Sequence, residues 1–249
     1  MPKLVKHLKH IVQKTLINFL FSGDTSERFI HKDVPLSKEI AHEKWIDYIL
    51  NLADKEGFRV LEIGSRAVVY EGFKKKFKHA QYVGFDIYPG ENVDVIGDIH
   101  KLSSYFDEKF DFIFSTAVFE HLAMPWVAAE EIVKCLKTGG YVFLETHYSY
   151  SSHERPWHFF QFSENALKVL FNPALGIETV MAGCSNPIIG YFAPQASKYL
   201  QGSAVTGLYC HSEFLGKKIK EIDDFSWNKL ELKDIVGESF YPKENLENF

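Results

Sequence analysis

Several scarcities bound what this chain can be. It has three cysteines in 249 residues, Cys135, Cys184 and Cys210, odd in number, far apart and in no metal-binding spacing. A disulfide scaffold is excluded, and a reduced, cytoplasmic setting is expected. An excess of basic charge is also missing: 28 Lys and Arg stand against 33 Asp and Glu, for a net charge of −5. Nucleic-acid binding normally leaves a basic footprint, so no nucleic-acid partner is expected. No apolar run approaches the roughly 18 residues that span a bilayer. Glycine is short where it would be most informative. The stretch VLEIGSRAV, residues 60–68, has the form of a strand entering a cofactor turn, yet it holds one glycine, Gly64, where nucleotide fingerprints carry two or three.

What is present reads as alternating strands and helices. A helix is expected from Ser37, with Ile40, Trp45, Ile46, Ile49, Leu50 and Leu52 apolar, ending at Gly57. FRVLEIG, QYVGFDI, NVDVIGD, FDFIFST and YVFLETH read as strands. Between them the pattern predicts helices over Ala67–Lys78 and around Ala129, Ile132, Val133 and Leu136, the latter closed by Lys137-Thr138-Gly139-Gly140. SENALKVLF gives a further helix, and IETVMAG and AVTGLYCHSEFLGKKI give two strands separated by a turn-rich insertion, residues 184–203. Strands of near-continuous apolar character need cover on both faces. The expected fold is α/β, a doubly wound, mostly parallel seven-stranded Rossmann-like sheet with an antiparallel C-terminal strand pair and an N-terminal helical extension.

Residues 1–35 are expected to form a basic amphipathic helix and linker, 36–222 the main domain, and 223–249 a tail. MPKLVKHLKHIVQKTLINFLF (1–21) carries four lysines and no acid. Such a helix is able to lie on a membrane surface, but docking over the main domain, as a lid, is the preferred expectation. FKKKFKH (73–79) reads as the solvated face of a helix, with Phe73 and Phe77 turned inward. Nothing in the sequence fixes the oligomeric state.

In an open α/β sheet, ligands bind at the carboxyl ends of strands where the strand order reverses. Gly64 ends the first strand, and Asp86 ends the second, where a carboxylate can accept from ribose hydroxyls. Glu62 lies within the first strand, where a dinucleotide site would place an apolar residue; a carboxylate there suits a cationic ligand. Asp98 ends the third strand in VIGD. Acids at three successive strand ends favour S-adenosylmethionine over a nicotinamide dinucleotide.

With VLEIGSR, YVGFDIYPGENVDVIGDIHKL, FDFIFSTAVFEHL, EEIVKCLKTGGYVFLETH and RPWHFFQFSENALKVLF in this order, the chain resembles a class I S-adenosylmethionine-dependent methyltransferase of the small-molecule or glycan type. The resemblance runs from about Phe58 to Phe171 and less clearly to Lys218. It implies that Glu62, Gly64 and Ser65 line the methionine and ribose portion, and that Asp86 holds the ribose hydroxyls. Ile87 would then pack on the adenine, Asp98 would meet its amine, and Ile99 would supply a backbone N–H. Ser115 would sit near the methyl-bearing sulfur. Arg66-Ala67 departs from the commoner Gly-x-Gly. Arg66 either pairs with the methionine carboxylate or faces solvent.

Methyl transfer to a hydroxyl benefits from a base. His147, at the end of the fifth strand, and His121, in FEHL, are the candidates, with Glu120 read as structural. HYSYSSHERPWHFFQFS (147–163) is the expected substrate wall, with Tyr148, Tyr150, His153, Trp157 and His158 as contacts. Glu145, His147, His153 and His158 lack a diagnostic metal spacing. Ala117 stands where related magnesium enzymes carry an acid, so no metal is expected. The expected activity is methyl transfer from S-adenosylmethionine, with S-adenosylhomocysteine as product, to oxygen or nitrogen of a small molecule such as a glycan precursor. A catalytically silent cofactor-binding module and a nicotinamide-dependent oxidoreductase are the alternatives.

Overall fold

The computed structural model describes residues 29–67, 72–222 and 224–235, together with Ile11, Val12 and Thr15. Those three are helical; the rest of the expected helix over 1–21, and the tail beyond Ile235, lie outside the described residues. Among the described residues no helix is long and apolar enough to cross a membrane.

One seven-stranded sheet organises the chain. Its strands are β1 (Arg59–Ile63), β2 (Gln81–Asp86), β3 (Val95–Ile96), β4 (Phe110–Thr116), β5 (Leu136–His147), β6 (Ile177–Pro187) and β9 (Tyr209–Lys218). They lie in the order β3-β2-β1-β4-β5-β9-β6. β1 to β5 pair in parallel, whereas β9 runs antiparallel to both β5 and β6. This is the expected doubly wound sheet with its antiparallel C-terminal pair. A small antiparallel ribbon, β7 (Gly190–Tyr191) with β8 (Ala204–Val205), lies between β6 and β9; β6 runs on to Pro187, into the stretch 184–203 expected to be turn-rich.

The apolar runs in the strands follow from cover on both faces. Along each strand, neighbouring side chains point to opposite sides. Val60, Phe112, Phe114, Phe143 and Leu215 meet Trp45 and Ile49 of α1 (Trp45–Ala53). Leu61, Ile63, Ile113, Val142, Leu144 and Phe214 meet α2 (Pro125–Cys135) and α3 (Glu164–Leu170). The abundant phenylalanines fill both layers.

Three local expectations are corrected. The helix expected from Ser37 begins only at Trp45, because the preceding backbone is bonded to β6: Ser37 N–H donates to Cys184 O (2.9 Å) and Cys184 N–H to Pro35 O (2.8 Å). The helix expected over Ala67–Lys78 does not form at its described positions. Ala67 has φ of 56°, Lys74–Lys76 make a 3₁₀ turn and Phe77 is extended; residues 68–71 lie outside the described residues. Lys137–Gly140 does not close α2, which ends at Cys135. β5 begins at Leu136, and its register with β4 slips between Phe110 and Phe112.

Candidate active site

The strand order reverses between β1 and β4, and the candidate cofactor residues gather around that point. Gly64 follows β1 with φ of 86°, and a Cβ there would lie 2.3 Å from Val118 Cγ2. Both the backbone sign and the close approach of the loop after β4 require glycine. The turn N–H groups are not free, as a helix start would leave them. Gly64 and Ser65 both donate to Phe85 O (2.8 and 3.2 Å), and Arg66 N–H donates to Asp86 Oδ2 (3.2 Å). Ser65 is wholly buried, and its hydroxyl has no hydrogen-bond partner.

Glu62 lies in β1 and Asp86 ends β2, whereas Asp98, expected to end the third strand, stands two residues beyond β3. Glu62 is buried and accepts from the Tyr82 hydroxyl. Burial, reinforced by the charge of Asp86, pushes its carboxyl up to about 7 against the opposing effect of that hydrogen bond. Asp86 also accepts Tyr88 N–H at 2.9 Å, so one side chain ties the loop after β1 to the loop after β2. Asp98 caps the turn Ile99–Tyr105 by accepting His100 N–H (3.0 Å), with the His100 ring at 2.7 Å. The Arg66 guanidinium lies over the Tyr88 ring, 5.1 Å from the centroid. Ile87 is 52% exposed, whereas Ile99 is buried. Ser115 spends its hydroxyl on Ile63 O (3.1 Å).

A cleft of about 350 Å³ opens at the carboxyl ends of β4 and β5, lined by Trp45, Phe73, Ala117, Glu145, His147 and His211 among others. None of the cofactor candidates is among its lining residues. Ala117, one of its lining residues, has φ of 51°, a conformation that costs a non-glycine residue energy and is concentrated at functional sites.

Histidines crowd this end of the sheet. His147 Nδ1 faces Glu120 Oε1 at 2.8 Å, off the ideal donor line, and neither atom makes another hydrogen bond. Glu120 has no exposure, and its Oε2 accepts from Thr146 Oγ1 (2.6 Å). Burial works against its ionisation, but the contacts with His147 and Thr146 outweigh this and hold the carboxyl below the usual range. The Glu120 carbonyl also accepts Phe159 and Phe160 N–H (2.8 and 3.2 Å), anchoring the aromatic loop to the FEHL turn. The expected structural role of Glu120 is thus joined to a direct contact with His147.

His121 donates its Nδ1–H to Trp157 O (2.8 Å), the one direction a carbonyl permits. Its ring lies 4.9 Å from that of His153, which in turn lies 4.7 Å from His158 and 5.2 Å from His147. Tyr150 stacks on His147 at 4.4 Å. Tyr148 turns away from this group and packs edge-on against Tyr209 (5.9 Å). Trp157 is exposed, with Phe159 6.0 Å away.

Two members were not anticipated. His42 and His211 stack at 4.0 Å, and His42 Nδ1 lies 2.9 Å from Glu145 Oε2. The Glu145 contact raises the His42 pKa against burial, while burial and the neighbouring His42 and His147 push His211 down to about 4. His211 sits directly opposite His147 in the β5–β9 register. The alternation of YCHSEF puts it on a definite face, but only the register puts it beside His147.

Residues 37–175, more than half of the chain, match a family model described as a methyltransferase domain. The chain belongs to that methyltransferase family. No curated protein matches the methyltransferase. Among solved structures it is similar to an S-adenosylmethionine-dependent methyltransferase from Archaeoglobus fulgidus, 16% identical, with a TM-score of 0.51 over 72% of this chain and 97% of that one. It is also similar to a chain of the complex between the Haloferax volcanii Trm112 methyltransferase activator and a methyltransferase, 17% identical, with a TM-score of 0.50 over 72% and 90%. At such identities the likeness is one of fold.

Proposed function

We propose that this methyltransferase binds S-adenosylmethionine beside Gly64 and transfers its methyl group to an oxygen or nitrogen of a small molecule, with sugars and glycan precursors as the acceptor class. Residues 36–222 form the catalytic unit in this reading, with 1–35 as a lid or surface helix and 223–249 as a tail. The observation that carries the cofactor assignment is the pairing of supply and demand at the strand ends. Glu62, Asp86 and Asp98 offer carboxylates, whereas the N–H groups of residues 64–66 are already bonded. A pyrophosphate needs those free donors; a ligand with a cationic end and ribose hydroxyls needs acceptors.

Glu62 gives this reading a pH signature. In the free protein its carboxyl is protonated below about 7, and a cationic ligand favours the ionised form. Affinity for S-adenosylhomocysteine should therefore fall on the acid side of 7, by up to about tenfold per pH unit, since one linked proton must be released. The fold itself has the opposite dependence. A carboxyl raised in the folded state stabilises most below its unfolded value, and that contribution is lost as pH rises through about 7. Calorimetric titrations across pH 5.5–8.5 test this, and the affinity slope should vanish in Glu62→Gln.

Methyl transfer is an in-line displacement at a carbon activated by the sulfonium, so the protein's task is alignment, exclusion of water and, for a hydroxyl acceptor, removal of a proton. His147 takes that proton. Glu120 on Nδ1 fixes the tautomer that leaves Nε2 as acceptor, and stabilises the imidazolium that forms. Tyr150, His153, Trp157 and His158 supply ring faces and polar edges around the acceptor. His147→Gln should lower turnover by roughly 10²–10⁴-fold, the usual contribution of a positioned base, with unchanged S-adenosylhomocysteine affinity. The measurement is S-adenosylhomocysteine release over a panel of hydroxylated sugars and nucleotide sugars. Undiminished turnover in the variant would remove His147 from the chemistry.

A further inference from the structure

The cleft brings together three side chains that have no spacing relation in the sequence: His42 ahead of α1, Glu145 in β5 and His211 in β9. Their ligand atoms lie within 4.8 Å of one another, and all three line the cleft. Glu145 is 5% exposed and stands directly across from the fully buried Glu213 in the β5–β9 register. The half-exposed His42 ring meets the Glu145 carboxylate through a 2.9 Å contact. Asn186 Nδ2 donates to His211 Nδ1 at 3.1 Å.

We propose that His42, Glu145 and His211 form a site for a divalent transition ion of the zinc class, with its remaining coordination positions open to the cleft. Two imidazole nitrogens and one carboxylate oxygen are a donor set for such borderline ions, whereas magnesium and calcium prefer oxygen alone. Three protein ligands with a vacant position are the pattern of an open rather than a closed metal site. The two rings lie nearly parallel at 4.0 Å. Ligation therefore asks them to tilt together and asks His42 to exchange its ion pair with Glu145 for the shared ion, a side-chain rotation at a half-exposed position. Ligation through His211 Nε2 needs the ring proton on Nδ1, so the Asn186 amide must turn its oxygen, rather than its Nδ2, toward that nitrogen to orient the ligand. In one respect the inference rests on the cleft being the acceptor pocket: an ion there would favour acceptors that present a hydroxyl or carboxylate oxygen.

The full-length protein, freed of metal with a chelator, should be titrated with Co²⁺ followed by visible absorption and with Zn²⁺ by calorimetry, with S-adenosylhomocysteine titrated in parallel. One ion per chain is expected, with Co²⁺ developing ligand-field bands that Zn²⁺ removes. His211→Ala should abolish the bands. His42→Gln, at a half-exposed position, should weaken binding by at least about tenfold, and Asn186→Ala by about tenfold. The exposed His79→Ala should leave binding as it was. Absence of binding, or equal binding in His211→Ala and His42→Gln, overturns the site; if His211→Ala fails to fold, His42→Gln decides. Loss of S-adenosylhomocysteine binding with the Co²⁺ bands intact would count against the cofactor assignment and leave the metal site standing.

Discussion

Asp86→Ala should weaken S-adenosylhomocysteine binding by about a hundredfold while the protein stays folded. The carboxylate ends β2, beside the glycine turn. It accepts Arg66 N–H through Oδ2 (3.2 Å) and Tyr88 N–H through Oδ1 (2.9 Å). In the proposed complex it also accepts from the ribose hydroxyls. Hydrogen bonds to a charged group contribute roughly 1.5–3 kcal/mol each, and each 1.4 kcal/mol is a factor of ten in affinity. Loss of two ribose contacts therefore predicts about two orders of magnitude. Asp86→Asn keeps an acceptor for the loop but not the charge, and should lose about tenfold. Calorimetry on the three proteins is the check. Wild-type affinity in Asp86→Ala would place the ribose elsewhere.

The second large effect is on stability. Gly84→Ala should lower the melting temperature by about 6–12 °C. Gly84 lies in the middle of β2, opposite Glu62. A Cβ at this position would lie 1.9 Å from the Asn92 carbonyl oxygen and 2.7 Å from Ser65 Oγ. The Asn92 contact is to backbone, and that backbone is clamped. Asp94 N–H donates to Gly84 O (2.8 Å), and Gly84 N–H donates to Asp94 Oδ2 (2.9 Å). No rotamer change relieves the clash, so the loop must move. Overpacking costs about 1–3 kcal/mol. The upper end applies here, at about 2–4 °C per kcal/mol for a chain of this size. Gly57→Ala is the contrast: φ is 81° but nothing lies within 4 Å of the new Cβ, so only backbone strain of about 1–2 kcal/mol is expected. A melting point for Gly84→Ala within 2 °C of wild type, or below no more than Gly57→Ala, would show that the loop yields freely.

The sheet was legible because its strands are written as apolar runs whose residues alternate between two covered faces. Val60 and Leu61 are adjacent in sequence and lie in different layers. The carboxylates at strand ends were legible for the same reason: once a strand is located, so is its end. The stretch after Gly64 misled because Phe73 and Phe77 are spaced four apart, which a helix would put on one face. The structure brings both inward from a 3₁₀ turn, Phe73 against Trp45 (4.8 Å) and Phe77 against Tyr82 (5.6 Å). Likewise, Ile40 is buried as a helix would bury it, but the chain around it is held by β6 rather than by its own turns.

The histidine cluster was half legible. His121, His147, His153 and His158 lie within 38 residues of one another and were placed near the acceptor by strand order. His42 and His211 come from 79 residues before His121 and 53 after His158. Their meeting depends on the β5–β9 register and on the bridge from Leu36 to Cys184, long-range geometry that no local pattern encodes. Glu120 changed meaning for the same reason. In sequence it belongs to a turn, whereas in space it is the buried carboxylate on His147.

The most direct test of the account is a calorimetric comparison of S-adenosylhomocysteine and NADH on the purified protein at pH 8. The account predicts saturable binding of S-adenosylhomocysteine at one site, lost in Asp86→Ala, and no binding of NADH. Binding of NADH without S-adenosylhomocysteine would contradict it.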